Sequence, residues 1–124
     1  MQVFVVADNI VSPLGNTTSE NFDQVVQGIS GITKHDNTTF ADAPFYGAVM
    51  APGQLAAYTA PYNLAGYTRF EKMVIASVAS VLEQTGINLS DSRTGFIVST
   101  TKGNIELLEQ NSNGDLPLQE MQLH

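Results

Sequence analysis

Cysteine is absent from the 124 residues, and so is tryptophan. Without a thiol the chain forms no disulfide, no zinc–thiolate centre and no cysteine nucleophile of its own. Basic residues are scarce: five Lys and Arg stand against twelve Asp and Glu, for a net charge of −7. Phosphate binding needs clustered Lys and Arg, so this balance argues against nucleic acid. It argues against an anionic membrane surface for the same reason. The acids are scattered, which reads as solubility rather than as an acidic tail. The longest apolar run is far short of a membrane span. No basic n-region precedes an apolar h-region, so no secretory leader is expected. A cytoplasmic placement is the corresponding expectation.

Charged residues of all kinds make up only 14%, against about 25% in an average globular chain. Hydrophobic residues make up 43%, enough to fold. Low charge on an apolar chain suggests that part of the surface is meant for burial against something else. The length fits one domain, residues 1–124.

QVFVVA, residues 2–7, is a short apolar run rich in Val and predicts a buried strand. Asp8 and Asn9 end it. Ser12-Pro13-Leu14-Gly15 follows as a turn, with Pro fixing φ and Gly permitting a positive one. Thr17-Thr18-Ser19-Glu20 is a capping-box pattern. Phe22, Val25, Val26 and Ile29 then recur at i, i+3, i+4 and i+7, one apolar helix face. Gly28 and Gly31 supply the stop.

Residues 33–67 read as an irregular connection within the domain, punctuated by Pro44, Pro52, Gly53, Pro61 and Gly66. Phe45 to Met50 is a short strand candidate weakened by Gly47. Thr68-Arg69-Phe70-Glu71 is a second capping box. The helix predicted after it, Arg69 to Thr85, is apolar nearly all round, which implies burial on most sides. Gly86 reads as its C′ residue. GFIVST, residues 95–100, predicts another buried strand, and Lys102-Gly103-Asn104 a turn into a helix over 105–110. Residues 111–115 are polar and turn-forming, and Leu116, Leu118, Met121 and Leu123 form a weak helical pattern. The pattern is α/β. Two or three strands do not easily cover a helix as apolar as 69–85, so the chain reads as part of a larger fold.

Chemistry is thin. His35 lies beside Asp36, but adjacent side chains diverge, so it reads as an ordinary exposed loop histidine. His124 is terminal, and no spacing resembles a metal site. Ser99-Thr100-Thr101-Lys102-Gly103 sits between a strand and a helix, where ligands gather in open α/β sheets. It lacks the spaced glycines of a P-loop or a dinucleotide fingerprint. Its plain reading is a turn whose hydroxyls satisfy local backbone groups.

Three blocks, in order, carry a family likeness: VSPLGNTTSENFDQVVQGISGI, TRFEKMVIASVASVLEQTGINL and TGFIVSTTKGNIELLE. The chain resembles the N-terminal part of the β-ketoacyl-acyl-carrier-protein synthases, condensing enzymes of the thiolase superfamily. The matching motif positions are Ser12, Pro13, Gly15, Ser30, Gly31, Arg69, Phe70, Gly86 and Gly95. The resemblance implies a partial thiolase-like half-domain, a mixed sheet with helices on both faces, incomplete in this chain. It implies decarboxylative condensation of an acyl group with malonyl carrier protein, in fatty acid or polyketide-type synthesis. It further implies an acyl carrier protein as partner, a homo-oligomer, and no metal or redox cofactor.

The family's nucleophilic cysteine and two histidines match nothing here; His35 and His124 fit neither histidine. No catalytic residue is therefore expected in this chain, which should be inactive as a fragment. Thr101, Lys102 and Gly103 are the substrate-pocket candidates that the resemblance implies, with Gly103 the firm match. Two other readings stand beside this one. One is a non-catalytic chain-length or structural partner of the same family; the other is a small independent α/β binding domain. Unpaired sheet edges predict self-association in any fragment of this kind.

Overall fold

The computed structural model describes residues 1–36 and 41–110. The polar segment 111–115, the weak helical pattern after it and His124 lie outside them. The chain divides into two units, Met1–Pro61 and Tyr62–His124.

In the first unit, α1 spans Thr18–Val26. Its start is the predicted capping box: Thr17 Oγ1 accepts from the Glu20 amide at 3.2 Å, and Glu20 Oε2 accepts from the Thr17 amide at 3.2 Å. Such a reciprocal cap satisfies two of the amides that a helix start leaves bare. The stop is a Schellman motif. Gly28 sits at φ +74°, its amide donates to Val25 O at 2.9 Å, and Ile29 N donates to Gln24 O at 3.0 Å. Gly31 takes no part in that stop; its role lies in the contact described below.

The connection after α1 is more regular than its sequence suggests. β1, Ile32–His35, pairs antiparallel with β2, Phe45–Ala48, in the register Ile32↔Ala48 to His35↔Phe45. A helix, α2, follows over Pro52–Thr59. Pro52 and Gly53 read as breaks, yet Pro52 opens the helix, where its missing N–H costs nothing. His35 is half-buried at the end of β1 and not in a loop. Its ring stacks on Phe45 at 5.2 Å, and its Nε2 lies 3.1 Å from Gly47 O. Gly47 lies within β2, where a Cβ would lie 3.0 Å from the Phe45 ring.

In the second unit, α3 spans Arg69–Glu83 and opens with the second predicted capping box, Thr68 with Glu71. It ends at a Gln84 C-cap, where Gln84 N and Thr85 N donate to Val81 O and Leu82 O. Gly86 is therefore one residue too late to be C′, and it has no positive φ. The last element is α4, a single turn over Leu107–Gln110, reached through Gly103 at φ +52°.

Two expected strands are absent. Residues 2–7 and 95–100 adopt no β pairing among the described residues. The only sheet described is β1–β2, so a mixed sheet with helices on both faces is not seen. A strand is defined by the neighbour that takes its backbone bonds. An apolar run supplies the side chains for one but not the neighbour. The consequence is exposure: Val3 to Val6 stand 71 to 85% exposed, and Ile97 92%. For the same reason α3 is not covered all round; only Glu71 and Ala76 within it are buried.

Candidate functional site

The opening motif of the first unit is held by one side chain, Asn21. It is only 6% exposed. Its Nδ2 donates to three carbonyls, those of Ile10 at 3.0 Å, Gly15 at 3.1 Å and Thr17 at 2.8 Å. Its Oδ1 accepts from the Ser12 hydroxyl. Ser12 and Gly15 close the Pro13-Leu14 turn with a bond each way, at 2.9 and 3.1 Å. Gln54, from α2, donates to Ser12 O at 2.7 Å and to Asn16 Oδ1 at 3.1 Å.

Two glycines permit this packing by being small. A Cβ on Gly15 would lie 2.5 Å from the Cβ of Glu20. Gly15 is thus required by close approach and not by a positive φ. A Cβ on Gly31 would meet the Leu14 and Pro13 side chains at 3.4 to 3.5 Å. The Ser12–Gly15 and Ser30-Gly31 turns, the two ends of one sequence block, therefore touch. Ser30 adds a bond from the Ile32 amide to its hydroxyl at 3.1 Å. This assembly is built of satisfied amides and hydroxyls and carries no reacting group.

The second unit holds an apolar groove of about 440 Å³ along α3. Val74, Ile75, Val78 and Leu82 form its helix side, and Thr94, Phe96 and Val98 its other wall. Its volume falls within the range of small-molecule sites, about 300–1,000 Å³. At one end lies a polar cluster. Glu71, 4% exposed, accepts from Asn104 Nδ2 at 2.8 Å and from the Thr68 amide at 2.9 Å. Asn104 is fully buried, and its Oδ1 accepts from Thr68 Oγ1 at 2.7 Å. Arg69 N donates to Glu106 Oε1 at 2.5 Å. The capping box of α3 and the turn at residue 104 are thereby one network, and its polar groups serve the fold.

Thr101, Lys102 and Gly103 do not line this groove. They form a turn in which Thr100 Oγ1 accepts from Lys102 N at 3.2 Å and from Gly103 N at 3.0 Å. Thr101 and Lys102 are exposed, and Lys102 makes no ion pair among the described residues. Of the remaining motif residues, Arg69 is exposed and Phe70 half-buried. Gly86 and Gly95 have open space where a Cβ would go.

Sequence reasoning missed Asn21, Asn104 and Gln54. A buried amide has no periodicity, so only its position inside a turn-helix block could have hinted at Asn21. Near the groove, Arg93 grips Asp91 with two bonds, at 2.7 and 2.9 Å. That side chain, helped by the Arg93 amide, holds the Asp91 carboxyl below its ordinary range. Both groups are exposed enough to make this a local loop contact and not a catalytic pair.

Among the described residues no His, Asp and Glu cluster could hold a metal ion, and no helix is long and apolar enough to cross a membrane. Comparison of the chain with protein-family models, with curated proteins and with solved structures gives no match in any of the three.

Proposed function

We propose that the chain is an N-terminal segment of a condensing enzyme of the β-ketoacyl-acyl-carrier-protein synthase type, contributing framework and no reacting group. The observation that carries this reading is the contact between the Ser12–Gly15 turn and the Ser30-Gly31 turn. It gives one physical reason why both ends of the VSPLG…SGI block occur together, as the resemblance requires. The second support is α3, capped by Thr68 and Glu71 and presenting Val74, Ile75, Val78 and Ala79 to an apolar groove. A helix of that kind suits a layer between sheets, as in a thiolase-like half-domain.

On this reading the chain alone holds no acyl intermediate, because it has no thiol to form the thioester. The complete enzyme would load an acyl group from its carrier protein onto a cysteine that follows this segment. It would then join that group to malonyl carrier protein with loss of carbon dioxide. The Thr101–Gly103 turn, fixed by Thr100 Oγ1 and exposed at Thr101 and Lys102, would border the acyl pocket. In the complete protein, Lys102→Ala should then alter acyl chain-length preference; an unchanged preference removes Lys102 from the pocket.

The coding frame past His124 is the direct test. A cysteine a few tens of residues on, then two histidines in a second half, is the expected result. The same frame without the cysteine would make the protein a non-catalytic partner of that family. A stop at that point, with a stable monomer in solution, would overturn the reading in favour of a small binding domain.

A further inference from the structure

We draw no further inference here: the strongest candidate, the apolar groove along α3 walled by Thr94, Phe96 and Val98, carries nothing because nothing in the structure shows what covers it.

Discussion

Replacing Asn21 with Ala removes the amide that ties Ile10, Ser12, Gly15 and Thr17 together, and its cost can be worked out bond by bond. Two of the three carbonyls keep another donor: Gly15 O retains the Ser12 amide, and Thr17 O retains the Asn21 amide. Ile10 O loses the donor it has at 3.0 Å. Ile10 is 48% exposed, so water takes part of that donor's place and losing the bond costs about 0.5–1.5 kcal/mol. The remaining weakened bonds add about 1 kcal/mol, so the expected loss is about 1.5–2.5 kcal/mol. The helix cap of the same unit provides an internal yardstick. Thr17→Ala removes one side-chain acceptor at a helix start and should cost about 1 kcal/mol. Urea unfolding followed by circular dichroism would compare the two. The predicted order is Asn21→Ala more destabilising than Thr17→Ala. Equal losses, or a loss under about 0.5 kcal/mol for Asn21→Ala, would refute the assignment of Asn21 as the tie.

Gly15→Ala should destabilise by about 1–3 kcal/mol, because its Cβ meets the Glu20 Cβ at 2.5 Å and the capping side chain must move; slowed amide exchange at the start of α1 would count against it. Gly28→Ala should cost about 1 kcal/mol, since φ is +74° there. Gly86→Ala should be neutral or stabilise by about 0.4–1 kcal/mol, having open space and no positive φ. Thermal unfolding separates these two, and equal losses would restore Gly86 as a cap. The Asp91 carboxyl should titrate below an unstructured Asp, held down first by the Arg93 side chain and then by its amide. Its folded value is depressed, so the stabilisation it brings is present above the unfolded value and lost as pH falls through the folded one. A carboxyl-carbon NMR titration with a midpoint at or above that of an Asp peptide would reject the contact.

How far the sequence discloses the fold depends on whether the signal is local. Both capping boxes and the Gly28 stop are patterns within a few residues, and all are present as read. The Ser12–Gly15 turn is likewise local and present, though Gly15 serves a close approach and not a positive φ. β1 and α2 escaped because their signals conflict. ITKH carries one strongly apolar residue, and PGQLAAYT begins with two residues that usually break structure. The runs at 2–7 and 95–100 fail for the opposite reason. Their composition is that of buried strands, but burial and pairing are properties of neighbours. The alternation of Thr94, Phe96 and Val98 along the groove retains the imprint of the strand that composition predicts. The candidate site was legible only at its edges. Thr101, Lys102 and Gly103 form the expected turn, while the groove and its Glu71–Asn104–Thr68 cluster join residues more than thirty positions apart.

The central claim is that this segment frames a condensing site whose nucleophile lies elsewhere. Intact-protein mass spectrometry after incubation with an acyl carrier protein bearing a thioester-linked acyl chain tests it most directly. A longer protein, if the reading frame extends past His124, should gain one acyl mass, on a cysteine beyond His124. Residues 1–124 alone should gain none. Acylation of the 124-residue chain itself, or a cysteine-containing longer protein that stays unmodified, would contradict the account.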